Sequence, residues 1–506
     1  MSQRTLKASE SGKSKIKQAR MNRGWIRDDV RWINEATEIL KLSGVKGAGV
    51  SPATWRRFLE AKHRIEPDNF KAFCQVLGLD WEDVVEDTVD SNIDLSEAPP
   101  LSNFCGRTKE LAELEQWVIQ ERCRLVVIHG MGGIGKRALA RQLIEQIGDK
   151  YSYLIWRSLE SVPPFQQLLT ELMEFLSKGQ NTEVKVSQLI QYLRQQKCIL
   201  VLDAWEEISS NNSPDYNDYC DLLKRVARES HQSCILLLSR ERPRNIEALE
   251  GGFVRLQRLG SLTYEEAKEI LIAEGLSGTS EKLEEFSRRY SNPWILKKVV
   301  KMVHTVFAGE VSNFMENPSI FVDNVITDFL DNQFQQLSVL EKNVIYWIAI
   351  RRNTASWHQL LKDTDGFLTS SQLLSTLNYL IQGRSLVDKN VEDKPTLYTL
   401  ELVILKYITN RFVEEVFNQI IQTIKIKIIQ GSELFITHSF LTENTDEELT
   451  EQQTRRIVKI IQEKLLFKLG SQQSVQNELN TILSLLEDNR FQGYGRQNIL
   501  SLLRLY

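Results

Sequence analysis

The chain has 506 residues, enough for about three to five domains, and its 42% hydrophobic and 26% charged content is that of an ordinary globular protein. A formal net charge of −4 excludes a polycation built for nucleic acid, and no apolar run approaches the roughly 20 residues of a bilayer span. The start, MSQRTLKASESGKSK, has no signal-peptide core and the six cysteines form no C-x-x-C pair, which predicts a cytoplasmic protein with reduced thiols and no membrane partner.

The first segment differs electrically from the rest. Residues 1–71 hold 16 Lys or Arg against 8 Asp or Glu, a surplus of 8. Helical periods run through KSKIKQARMNRG, IRDDVRWINEATEILK, SPATWRRFLEAKHR and EPDNFKAFCQVLGL, with Ser51 and Pro52 supplying an N-cap and a first-turn proline. The spacing predicts a helix-turn-helix-like adaptor or effector domain over 1–90, with Thr54, Arg56, Arg57 and Lys62 on the helix that would do the reading. Protein docking and duplex DNA binding through residues 51–64 both remain open, since no base contact can be assigned from one sequence. Leu79–Pro100 then carries eight acids and no base, and 91–102 reads as a linker.

Residues 103–260 carry the chemistry. RLVVIHGMGGIGKRALARQLIEQI, Arg124–Ile147, reads as a buried strand, a glycine-rich turn and a helix. Gly130, Gly132, Gly133 and Gly135 lack side chains, so the amides around Ile134 can converge on phosphate oxygens while Lys136 brings a point charge to the β/γ position. The pattern G-x-x-x-x-G-K is complete, but Arg137 replaces the hydroxyl residue that would ligate Mg2+. A guanidinium can instead pair with phosphate, so weak hydrolysis is expected. In CILVLDAWEE, Asp203 ends a parallel strand, where ligands of open α/β sheets collect and a metal's water shell is held. The second acid is missing at Ala204, leaving Glu206 or Glu207 to substitute. SCILLLSRERP brings Arg240 to the same edge, either to sense a γ-phosphate or simply to be solvated.

LTYEEAKEILIAEGL and EKLEEFSRRY open a helical lid over 261–335. Three helical stretches from LSVLEKNVIYWIAI onward, with short strands near LVDK and TLYTL, predict a winged-helix domain over 336–412. The tail, 413–506, is helical and shows no repeat period; its Leu500, Leu502, Leu503 and Leu505 suit either a docking seam or packing on their own domain. The expected fold class is multidomain α/β plus α: a P-loop NTPase parallel sheet with helical lid and winged-helix domains, an all-α helix-turn-helix domain before it and an all-α tail after it.

Taken in order, NFCGRTKELAELEQWV, GMGGIGK, YLIWRSL at Tyr153–Leu159, LVLD at Leu200–Asp203, SRERP at Ser239–Pro243 and YSNPWILK at Tyr290–Lys297 resemble the NB-ARC family. These are STAND-class, AP-ATPase-like nucleotide switches, here of the cyanobacterial type with an N-terminal helix-turn-helix and C-terminal sensor repeats. The resemblance spans roughly 103–300. It implies ADP or ATP as cofactor, Gly106 and Arg107 on the adenine side, Pro293 packed on adenine, and a switch in which nucleotide latches the α/β, helical and winged-helix domains closed until exchange permits activation or homo-oligomerisation. Protein partners would be met through the N-terminal domain and the C-terminal helices. Similar chains continue into sensor repeats, so the sensor is expected in a longer polypeptide or in another protein.

Three positions depart from the family: Arg137, Ala204, and Glu401 in TLELVILKY, which stands where the family touches the ADP β-phosphate. A carboxylate facing a diphosphate is repulsive unless a cation intervenes, so Arg137 or Arg240 is expected between them. Asp203 and Glu206 would then be vestigial catalytic residues, Mg2+ at Asp203 is disfavoured, and the chain is a degenerate ATPase at most. Two other readings stay open: a nucleotide-responsive DNA-binding regulator, and a scaffold that keeps the fold without nucleotide.

Overall fold

The apolar runs of the middle of the chain assemble into a six-stranded parallel sheet, since strands covered on both faces need no polar alternation. The strands are β1 (Ile93–Asp94), β2 (Leu125–His129), β3 (Tyr153–Ser158), β4 (Cys198–Asp203), β5 (Cys234–Ser239) and β6 (Val254–Arg258), in the order β1-β3-β4-β5-β2-β6. β2, β4 and β5 are buried throughout. Their register is what builds a site: His129 lies opposite both Ser239 and Arg258, and Ser158 opposite Asp203, so the carboxyl ends come out along one edge. Helices Phe165–Ser177, Val186–Gln195 and Tyr216–Arg228 cover one face of the sheet, and Thr108–Glu115 with Lys136–Ile147 cover the other. The computed structural model describes residues 6–24, 26, 29–42, 50–61, 65–81, 83–84, 92–100, 104–178, 184–210, 213–316, 319–352, 355–390, 395–442, 446–488 and 493–504.

Four helices precede the sheet: Glu10–Arg23, Val30–Leu42, Pro52–Glu60 and Pro67–Val76. Ser51 caps the third by accepting from the Thr54 amide at 3.1 Å, with Pro52 in the first turn, as the sequence signals require. Trp55 and Phe58 of that helix turn inward, Trp55 stacking on Trp32 with centroids 5.1 Å apart, which leaves Arg56 and Arg57 exposed. Lys62 lies outside the described residues.

Beyond the sheet, the helices from Tyr264 to Leu503 share one continuous core, which also takes in Met131. Helices Val339–Ile350, Trp357–Asp363 and Ser370–Asn378 stand with a small antiparallel sheet of β7 (Ala355–Ser356), β8 (Asp388–Asn390) and β9 (Leu397–Thr399), ordered β7-β9-β8. Leu402–Ile426 is a single 25-residue helix running through position 412, because its inward face continues unbroken from Val403 to Thr423. Of the terminal leucines offered for docking, Leu502 is buried and Leu500 and Leu503 are half-buried against the molecule's own helices, since Ile499 and Leu502 fall on the inward face; Leu505 lies outside the described residues. Among the described residues no helix is long and apolar enough to cross a membrane.

Within this core the buried Arg351 donates to both carboxylate oxygens of Asp363, through Nε and, at 2.7 Å, Nη2. Breaking such a pair strands a desolvated cation, so Asp363→Ala is expected to destabilise the C-terminal unit by about 3–5 kcal/mol in denaturant unfolding followed by Trp347 fluorescence.

Candidate functional site

The loop after β2 is shaped by two glycines. At Gly130, φ is +154° and a Cβ would lie 2.4 Å from the Leu259 carbonyl; at Gly133, φ is +73° and a Cβ would meet Trp294 and Asn292. No other residue type fits this close approach, so the sequence pattern and the loop geometry agree. Gly135 opens helix Lys136–Ile147 in the left-handed conformation. The loop therefore has the bare-backbone cradle that phosphate binding needs.

What surrounds this cradle is protein on every side described. The Gly132 amide donates to Gln333 Oε1 at 3.0 Å, and Gln333 comes from helix Asn324–Gln335, about 200 residues downstream. Asn292 Nδ2 donates to the Gly132 carbonyl at 3.1 Å, and the Trp294 amide donates to the Gly133 carbonyl at 3.2 Å. Pro293 is the first residue of helix Pro293–Phe307, capped by Asn292, and this segment brings its cap and its Trp294 amide to the loop; Trp294 stacks on Phe329 with centroids 4.1 Å apart. Lys136 curls back to donate to the carbonyls of Gly130 at 2.7 Å and Met131 at 3.0 Å. Burial lowers its pKa to about 8, against the pull of Glu206.

Arg137 stands where a hydroxyl residue was expected, and it bridges two carboxylates. Its guanidinium pairs with Asp203 at the end of β4 and with Glu160 just beyond β3. Desolvation still raises the Asp203 pKa, although Arg137 opposes that shift. These residues do not fit Mg2+: the carboxylate that would hold its water shell is occupied by a side chain that cannot ligate a cation. Ala204 adopts φ +63°, a left-handed conformation rarely taken by a residue with a Cβ, so the turn after Asp203 is tight as well as missing its acid.

Arg240 and Glu401 correct the expectation that a cation would stand before Glu401. The Arg240 guanidinium lies 3.0 Å from Glu206, whose carboxylate also accepts from the Arg240 amide at 2.9 Å. Glu206 is thus tied down rather than free to polarise water. Glu401 accepts from the amides of Ser291 and Asn292, both at 3.1 Å, and meets neither Arg137 nor Arg240. The physical reason is local: two amides at a helix start satisfy one carboxylate oxygen, while both arginines already have nearer acids. Burial pushes the Glu401 pKa up to about 7, and those amides oppose it.

Gly106 and Arg107 dock on the lid helix Tyr264–Ala273: their amides donate to Glu269 at 2.8 Å and Glu266 at 2.9 Å. Three further residues complete the site, two of them outside any sequence motif and the third, Glu241, within SRERP. Gln333 and Glu160 gave no local signal; Glu241, beside Arg240, lies 2.9 Å from Arg384 and accepts from the Tyr379 hydroxyl at 2.8 Å, joining the sheet edge to the helix–strand unit beyond the lid. Arg258 adds a second bridge to Asp388 at 2.7 Å. Asn292 does carry a local signal, since Asn before Pro marks a capped helix start. Between these elements lies a crevice lined by Met131, Ile134, Arg258, Gly260, Asp388 and Glu401, whose cavity of about 10 Å³ has room for about one water molecule.

Residues 124–275 match the NACHT domain. That match takes in the glycine loop, Asp203 and Arg240, and stops short of Gln333 and Glu401. The chain is also 34% identical, over 99% of its length, to an uncharacterized WD repeat-containing protein of Nostoc sp. strain PCC 7120, and spans 45% of that curated relative. Solved structures it resembles include the Walker-type ATPase of Pyrococcus abyssi, at 14% identity, covering 61% of this chain and 98% of that one with a TM-score of 0.45. Another is a Signal Transduction ATPase with Numerous Domains (STAND) protein with a tetratricopeptide repeat sensor from Pyrococcus horikoshii, at 16% identity, covering 81% of this chain and 59% of that one with a TM-score of 0.31. The NACHT match is confined to that segment.

The Glu401 environment gives a pH test. A carboxyl whose folded pKa is raised above its unfolded value near 4.5 costs stability when ionised, so the cost is full above about pH 7 and fades as pH falls toward 4.5. Glu401→Gln keeps an acceptor for the two amides without the charge. Its melting temperature is expected to exceed that of the unaltered protein at pH 8, with the gap narrowing steadily toward pH 5 in a scan of thermal denaturation against pH.

Proposed function

We propose that this chain is a nucleotide-dependent signalling switch of the NB-ARC-like STAND kind, with ADP or ATP as ligand and little or no hydrolysis. One observation carries the proposal: the glycine loop, whose bare amides suit a diphosphate, is also where the lid helices touch the α/β unit, through Gln333, Asn292 and Trp294. Phosphate at the loop and Gln333 at the loop are alternatives for the same amide. A ligand arriving there changes what holds the lid.

In this reading Gly130, Gly132, Gly133, Ile134 and Gly135 hold phosphates through backbone N–H groups, and Lys136 swings from the Gly130 and Met131 carbonyls to meet their charge. Arg137 keeps Asp203 neutralised, doing without the metal the electrostatic part of its task, so binding does not depend on Mg2+. The crevice beside the loop, about 10 Å³, is far below the hundreds of Å³ of a small-ligand pocket, so in this reading the lid and the helix–strand unit part from the sheet to admit nucleotide there. The bridges Glu241–Arg384 and Arg258–Asp388 are the contacts that such an opening breaks or bends. The parts proposed to move are the α/β unit, 103–260, and the helices beyond 261 that share one core; the limit at 412 falls inside helix Leu402–Ile426 and is no hinge.

Thermal denaturation with ADP or ATP, with and without Mg2+, tests the proposal. A rise in melting temperature of similar size in both conditions is expected, because ligand bound only to the native state stabilises it. Arg137→Thr is expected to make that rise depend on Mg2+. No rise with any adenine nucleotide sinks the switch in favour of a scaffold.

Gln333→Ala tests the competition directly. Freeing the loop amide is expected to tighten ADP binding by about threefold to tenfold, the worth of one net hydrogen bond, measured by titration calorimetry. Unchanged or weaker binding would mean that Gln333 is not displaced.

A further inference from the structure

Outside the glycine loop, four cations gather with no carboxylate ion-paired to any of them among the described residues. Arg352 follows helix Val339–Ile350 in the left-handed conformation, φ +53°, a costly setting for a side chain of its size. Its Nη1 donates to Thr409 Oγ1 at 3.4 Å, anchoring it on helix Leu402–Ile426, where Lys406 lies one turn earlier and donates to the Ile320 carbonyl. Arg455 and Arg456 come from a π-helical turn, Thr454–Val458, a rare geometry that recurs at functional sites. Gln453, fully buried, fixes that turn beside Arg352 by donating to the Ile350 carbonyl at 3.0 Å and accepting from the Thr442 amide at 3.1 Å. Three separate stretches of chain are therefore pinned so as to bring like charges together.

Such an arrangement is unfavourable unless something negative offsets it. Arg352 Nε is buried and has no hydrogen-bond partner. Among the described residues none of the four is ion-paired to a carboxylate; burial and the fields of Arg455 and Arg456 lower the Arg352 pKa, and burial with Arg456 lowers that of Lys406. By contrast, Arg137, Arg240, Arg384 and Arg411 each meet acids. The contrast is local, and the fork geometry of three guanidinia favours a tetrahedral oxyanion over a single carboxylate. Four positive charges call for a ligand with more than one negative charge, and a buried Nε calls for one small enough to reach inward.

We propose that Arg352, Lys406, Arg455 and Arg456 form a second anion site, distinct from the glycine loop, that takes a small multiply charged phosphoanion of the pyrophosphate class. Its occupant would bind the helix–strand unit to the C-terminal helices, since the four residues come from both.

The test is pyrophosphate binding by the full chain at fixed ionic strength, followed by melting temperature and calorimetry, in the unaltered protein and in Arg352→Gln, Arg456→Gln and Lys136→Ala. A saturable stabilisation is expected, weakened about tenfold or more by either Arg→Gln change and retained in Lys136→Ala, whose glycine loop lacks its cation. Without anion, Arg456→Gln is expected to melt at or above the unaltered temperature, because it relieves repulsion; that readout separates loss of the site from loss of the fold. The proposal is overturned if pyrophosphate has no effect beyond matched ionic strength, if the effect survives both Arg→Gln changes, or if Lys136→Ala abolishes it.

Discussion

The Gly132 amide can donate to one acceptor at a time, and here it donates to the side chain of Gln333. A glycine loop leaves its N–H groups bare so that they can meet phosphate, and a buried bare N–H that meets nothing is costly. Helix Asn324–Gln335 meets that requirement, and so the loop becomes the place where the lid is fastened. The neighbouring contacts follow: Asn292 caps its own helix and reaches the Gly132 carbonyl, and Glu401 in turn accepts from the amides that frame Asn292. A chain of hydrogen bonds thus runs from the sheet edge through the lid to the start of helix Leu402–Ile426.

Charge is distributed with the same economy. The edge where β4 and β5 end would concentrate Asp203, Glu206, Glu207 and Glu241, and each acid has an arginine. Arg137 covers Asp203, Arg240 covers Glu206 and Glu207, and Arg384 reaches across to Glu241. The last pair matters most for motion, because its partners lie on units that share no strand. With Arg137 in the place of a metal-binding hydroxyl, the edge is neutralised by protein alone.

Much of this was legible in the residues. The continuous apolar runs of β2, β4 and β5 specify buried parallel strands, and the glycines at 130, 133 and 135 specify a loop that only they can form, since each takes a positive φ. Ser51 with Pro52 and Asn292 with Pro293 are cap signals written in adjacent positions. Arg137 and Ala204 could be recognised as departures because the pattern around them is otherwise intact. The expectation for Glu401 went astray for a reason that no periodicity contains: which of several cations a carboxylate meets depends on distances set by packing, and two backbone amides lay closer than either arginine.

The sequence by itself determined the local elements: strand, glycine loop, capped helix and the acids and bases at strand ends, because each depends on side chains within a few positions of one another. Only the tertiary structure decided the partners. Gln333 at Gly132, Glu160 at Arg137 and the gathering of Arg352, Lys406, Arg455 and Arg456, which meet no carboxylate among the described residues, join residues far apart in the chain. Contacts of that kind are fixed by how helices pack around a shared core, and a hydrogen bond or an ion pair exists only where packing brings its two ends together.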